Sequence, residues 1–208
     1  MHPNLMPLGT VLSFELAQAD GICLPGPQES ATDLAVPAPG LPIVLERAFY
    51  PQISQRYAVG PLGRGWSSNW DICAATASDG TVQVTGPGES ARVFPRDVRG
   101  GFLASPGETA TLSDRSTGGY LLREANGQVT AFRADGKLDY VEDTNGNCIT
   151  ASYSGSLLTS LKHSSGQTVQ IAYNAAGRIQ TITDPYKRVM TPWATGSRPP
   201  GTEPPRGA

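Results

Sequence analysis

Charged side chains are scarce in this 208-residue chain: Asp, Glu, Lys and Arg make up 16 % of it, against roughly 25 % in an average soluble domain. Exposed helices are built largely from Lys, Glu and Ala, so the shortage argues against a helical bundle. The sixteen basic residues are dispersed without a run, and the formal net charge is −2. A nucleic-acid binder needs a concentrated positive field to displace counterions from phosphate, so no nucleic-acid partner is expected. Cysteine is equally sparse. Cys23, Cys73 and Cys148 lie far apart with no Cys-x-x-Cys pair, and His2 and His163 are the only histidines. That set makes neither a disulfide framework nor a zinc site, and the cysteines read as small apolar residues in or near a core. No apolar run approaches the ~20 residues that span a bilayer, so no membrane span is expected. Val11–Ala19 ends in an Ala-x-Ala triplet, but no Lys or Arg precedes it, and Pro3, Pro7, Gly9 and Glu15 interrupt the apolar pattern. It does not read as a cleaved signal peptide.

Turn formers, by contrast, are abundant. The chain has 24 Gly and 18 Pro, about one residue in five against roughly one in eight on average. Many short strands joined by tight turns follow from that composition, and the fold class is all-β. Residues 1–20 read as a weakly structured lead-in, and Gly21 to Gly40 as extended chain with turns. Leu41-Pro-Ile-Val-Leu-Glu-Arg-Ala-Phe-Tyr50 is the first strong strand, with Leu41, Ile43 and Leu45 on one face. Gly60-Pro-Leu-Gly-Arg-Gly65 is a turn cluster. Asp79-Gly80, Asn126-Gly127, Asp135-Gly136 and Asn145-Gly146 then punctuate the chain as the dipeptides of two-residue hairpin turns. Strands are expected at Thr81–Thr85, Ala91–Phe94, Tyr120–Arg123 and Gln128–Phe132, in an antiparallel meander.

An internal repeat runs through the second half. Phe132, Tyr153 and Tyr173 stand 21 and then 20 residues apart. Each is followed by a glycine (Gly136, Gly155, Gly177) and by two apolar residues three apart: Leu138/Val141, Leu158/Leu161, Ile179/Ile182. Ile149, Ala151 and Tyr153 share one face of a strand, as do Val169, Ile171 and Tyr173. A spacing of three breaks strict alternation, so the outgoing strand is either buried on both faces or bulged. One hairpin cannot bury its own apolar face, so the copies must stack to share a core, leaving an apolar concave face and a sheet edge uncovered at the end of the array. The third copy lacks its returning strand, and residues 191–208, rich in Pro and Gly, read as a disordered tail. The chain therefore reads as a fragment or truncated form of something longer.

Tyr173-Asn-Ala-Ala-Gly-Arg-Ile-Gln-Thr-Ile-Thr-Asp-Pro185 resembles the repeat of the Rhs, or YD-repeat, family, with Asn174 where that family has Asp. The preceding stretch is similar to the Rhs-associated N-terminal domain of unknown function. The matching residues are Leu41–Tyr50, Gly60–Trp66 with Asn69-Trp70-Asp71, and Asp79–Val82. The resemblance spans residues 30 to 189. It implies a structural role: in such proteins, arrays of these hairpins form a hollow β-shell around a C-terminal toxin, and the teneurins use a similar shell in adhesion. It also implies secretion or a place in the cell envelope. The long array, the Asp-Pro-x-Gly-Leu self-cleavage motif and the toxin domain are missing here. The partners it implies are further Rhs repeats or a toxin cargo absent from this chain.

Candidate chemistry is thin. Asp143-Thr-Asn145-Gly-Asn147 resembles the start of a calcium loop, but Cys148 and Ser154 stand where that loop needs Gly and Glu, so a hairpin turn is expected. Trp66 and Trp70, near Arg64, are candidates for stacking on a sugar ring, or else for plugging the end of a small core. His163 occupies the repeat position of Asp143 and Asp184 and is expected on a turn surface. There is no Gly-x-Ser-x-Gly elbow, Glu142 and Asp143 point to opposite faces of a strand, and Gly86-Pro-Gly88 is no dinucleotide loop. No catalytic, cofactor-binding or metal-binding residue is assigned. The expected organisation is a β-rich N-terminal segment at 21–120 and Rhs-type repeats at 121–190, forming a curled antiparallel sheet or partial β-shell. The expected function is a non-enzymatic shell scaffold, with a carbohydrate- or surface-binding module as the alternative.

Overall fold

The structure, a computed structural model, describes residues 30–49, 57–87 and 91–191. It is all-β and antiparallel, with no α-helix among the described residues. Strand β1 (Ser30–Val36) pairs with β2 (Ile43–Phe49), and β5 (Trp66–Ser68) adds to the other side of β2. Between them, β3 (Val59–Gly60) and β4 (Gly63–Arg64) make a small hairpin around Pro61-Leu62. A second three-stranded sheet holds β6 (Cys73–Thr76), β7 (Val82–Thr85) and β8 (Ala91–Phe94).

The remaining strands form one nine-stranded meander, each beside its sequence neighbour. It starts with β9 (Thr111–Asp114), β10 (Tyr120–Arg123), β11 (Val129–Phe132) and β12 (Leu138–Glu142). It continues through β13 (Cys148–Ser154), β14 (Leu157–His163), β15 (Thr168–Tyr173), β16 (Ile179–Thr183) and β17 (Val189–Met190). The meander begins at Thr111, inside the segment that the sequence assigns to the N-terminal part.

The bulge, and not burial on both faces, resolves the spacing of three. In β11–β12, Ala131 pairs with Tyr140 but Phe132 pairs with Leu138, leaving Asp139 as the extra residue. The same slip leaves out Thr159 between Tyr153↔Leu158 and Ser152↔Ser160, and Gln180 between Tyr173↔Ile179 and Ala172↔Thr181. One inserted residue returns the second apolar side chain to the inner face. Leu138, Val141, Leu161 and Ile182 are accordingly buried together, with Leu158 and Ile179 packed at the edge of the same cluster. Phe132, Tyr153 and Tyr173 thus sit in equivalent strands, each opposite the first apolar residue of its copy.

The inner face of the array is covered, contrary to the expected exposed concave face. Leu34, Val36, Ile43 and Leu45 of the first sheet pack on Ile149, Leu161, Val169 and Ile182. Val82, Val84 and Phe94 of the second pack on Leu112, Leu122 and Phe132. The chain closes its core by folding its first half over the repeats, which removes apolar area from water without further copies. The opposite face carries exposed Thr150, Ser152, Lys162, Gln170 and Ala172.

The turns also differ from expectation. At Asn126-Gly127, Asp135-Gly136 and Asn145-Gly146 the loops hold three residues, not two. In the first, Glu124 N–H donates to Gln128 O at 2.8 Å and Gly127 N–H to Glu124 O at 2.9 Å. Only the glycine has positive φ, so these are type I turns with a glycine bulge, and the preceding Asn or Asp stays right-handed. Lys187 takes the glycine position in the last such turn, at φ 68°.

Two residue readings are corrected. His163 occupies the turn position but is fully buried, because it begins its turn from the inner face beside Ile149. Its Nδ1 accepts the Ser165 N–H at 3.0 Å, the bond that Asp143 and Asp184 make through carboxylate oxygens in their own turns. Cys73 is exposed and Cys148 half-buried, because both alternate with inward residues, Ala74 and Ile149. Cys23 and the 191–208 tail reading, beyond Thr191, lie outside the described residues, as do His2 and residues 1–20.

Candidate functional site

The segment linking β5 to β6 is held firmly against β2. Asn69 bridges β2 through its side chain, accepting the Glu46 N–H at 2.9 Å and donating to Val44 O at 3.0 Å. The Trp70 indole Nε1–H donates to the same carbonyl at 2.7 Å, and the ring is buried. Trp70 therefore plugs the first core. Trp66 is half-buried, with the edge of Phe49 at 5.3 Å between ring centroids and the Arg47 guanidinium 5.0 Å from its own. Arg64 is exposed.

Beside Trp70, the structure places Asp71 over a slot between the two halves of the chain. The cavity is about 230 Å³, and Leu62, Trp70, Tyr153, Leu158, Tyr173 and Ile179 are among its walls. The Pro61-Leu62 tip is anchored there by the Ile179 N–H, which donates to Pro61 O at 2.9 Å. Tyr173 donates its hydroxyl to Leu158 O at 2.7 Å. At the rim, Lys137 Nζ donates to Gly155 O at 2.8 Å and lies 3.3 Å from Asp135.

Asp71 Oδ2 accepts the Ser68 N–H at 2.7 Å. The residue is exposed, yet the protein around its carboxyl raises the pKa by desolvation, more than the Ser68 bond lowers it. Both hold in a recess, where a group meets solvent on one side and low-dielectric walls on the others. The same desolvation, with the Asp71 charge second, pushes the Tyr153 and Tyr173 phenols up to about 12. It raises the Cys73 thiol too, so Cys73 at the slot's edge is no activated nucleophile. The slot has the chemistry of a binding surface.

The other candidates are spent on structure. Asp143 accepts from Asn145 N–H at 2.8 Å, Asn147 N–H at 2.9 Å and Asn147 Nδ2 at 2.7 Å, so its carboxylate brackets a hairpin turn. Among the described residues no group of three His, Cys, Asp or Glu is placed to hold a metal ion. No helix among them is long and apolar enough to cross a membrane.

Residues 28–94 match the model of a domain of unknown function, DUF6531. The match takes in β1 to β8 and stops at the last residue of β8. No curated protein matches the chain. Asp71 and Trp70 lie within the DUF6531 match, whereas Tyr153 and Tyr173 lie in the repeats beyond it. The slot therefore forms only where the two meet. Asn69-Trp70-Asp71 was visible in the sequence as part of a resemblance, but no local pattern links Asp71 to tyrosines more than eighty residues on.

Proposed function

We propose that this chain is a non-enzymatic structural segment of an Rhs-type β-shell, of the kind that in Rhs proteins encloses or presents a C-terminal toxin. The observation that carries the reading is the recurrence of one bulge and one aromatic–aliphatic pair in three successive hairpins. Such repetition builds an array whose end accepts the next copy. At β17, Met190 pairs with Ile182 as Val169 pairs with Leu161 one repeat earlier. A new hairpin joined after Met190 would therefore enter in register. The DUF6531 match covers the two small sheets that pack on the inner face of this array.

The test is to insert a second copy of residues 170–190 directly after Met190. A shell segment gains thermal stability with the added copy, because each new interface contributes a nearest-neighbour term. A melting temperature that stays unchanged or falls would refute the reading. The alternative, a carbohydrate-binding module, predicts instead that the unmodified chain is stabilised by an added glycan.

A further inference from the structure

We infer that the slot beneath Asp71 binds a basic side chain carried on an apolar peptide segment of a partner protein. Its walls are aromatic and aliphatic, and about 230 Å³ is several times the ~30 Å³ that one water occupies in the liquid. That volume accepts the stem of an Arg or Lys with an apolar neighbour. The polar groups lining the slot include the acceptor Asp71, the Tyr153 and Tyr173 hydroxyls and, at the rim, the Lys137 ammonium. Asp71 receives one backbone N–H, and among the described residues no cation pairs with it. The Tyr153 hydroxyl has no hydrogen-bond partner among the described residues, whereas that of Tyr173 is committed to Leu158 O. Lys137, held at the rim by Gly155 O and Asp135, and Arg133 each lie 5.6 Å from the Tyr153 ring centroid, but neither forms an ion pair with Asp71.

Asp71 stands at the solvent-exposed mouth of the slot, so a guanidinium or ammonium can pair with it there while its aliphatic stem covers the apolar walls. An anionic or purely apolar ligand would leave Asp71 worse solvated than before. Charge therefore selects the ligand class. No slot residue belongs to β17, so the proposal stands or falls apart from the array-extension reading.

The probe is the peptide acetyl-Gly-Leu-Arg-Leu-Gly-amide, titrated into the full chain by calorimetry, beside its counterparts with Glu or citrulline for Arg. The Arg peptide is expected to bind, the citrulline peptide roughly ten-fold or more weakly, and the Glu peptide not at all. Asp71→Asn keeps an oxygen for the Ser68 N–H, so the fold is retained, and it should weaken the Arg peptide by a similar factor. Methyl chemical shifts of Leu62 and Leu158 should move with the Arg peptide in the wild-type chain. Equal binding of the Arg and Glu peptides, an Asp71→Asn affinity equal to wild type, or no binding at millimolar peptide would each overturn the proposal.

Discussion

Gly136 and Gly146 occupy the same position in successive turns and have nearly the same backbone, φ 79° and 80°. A methyl group on Gly146 would meet nothing within 4 Å, whereas one on Gly136 would lie 2.1 Å from the Ala74 carbonyl oxygen. That contact is where the second small sheet rests on the array: Ala74 N–H donates to Gly136 O at 2.8 Å, and Cys73 bridges to Lys137. Gly146→Ala therefore carries only the left-handed penalty, roughly 1–2 kcal/mol before the loss of unfolded-chain entropy offsets part of it. Gly136→Ala carries the same local terms and must also push β6 away. That displaces one hydrogen bond, about 1 kcal/mol, and disturbs the packing of buried Ala74. The local terms cancel in the comparison, so Gly136→Ala should be less stable than Gly146→Ala by about 1–2 kcal/mol. Urea unfolding of both variants and wild type, followed by circular dichroism, measures the difference. Equal destabilisation would show that β6 does not rest on this turn and would refute the layered arrangement built on it.

Lys187 offers the reverse experiment. It holds φ 68° where eight turns with the same hydrogen bonds have glycine, so Lys187→Gly should stabilise the chain by about 0.5–1 kcal/mol, read as a higher melting temperature. An unchanged or lowered melting temperature would count against the turn equivalence. Glu108 gives a pH signature. It chelates Arg92 through bonds of 2.6 and 2.7 Å and also accepts the Ala110 N–H. Those bonds, Arg92 first, hold its carboxyl down at about 2 against an ordinary 4.5. A lowered folded pKa means that the stabilisation is whole above pH 4.5 and drains away as the pH falls toward 2. Glu108→Gln should flatten stability against pH over that interval, and curves parallel to wild type would contradict the assignment.

The local chemistry of this chain was legible residue by residue. Ala91–Phe94 and Tyr120–Arg123 are strands with the expected bounds, and Val82–Thr85 and Val129–Phe132 differ from expectation by one residue. Alternation and glycine spacing determine those elements because each needs only its own neighbours to form. The same patterns limited the outgoing strands to two conformations but could not choose, since a bulge is decided by what covers the inner face. Turn type escaped for a related reason: Asn-Gly suits both two- and three-residue loops, and the strand register selects between them.

Which surface meets which is settled by long-range packing alone. Nothing in Leu34, Val36, Ile43 and Leu45 says that they cover Leu161 and Val169 in place of a further repeat. The repeat position that predicts a turn surface for His163 is buried in two of its three copies, His163 and Asp184, and only half-buried at Asp143. The slot likewise exists because Asp71 and the tyrosines arrive from distant strands. Periodicity in a sequence specifies a strand's two faces, but the partner of each face is chosen by long-range packing, which leaves no periodic trace in the chain.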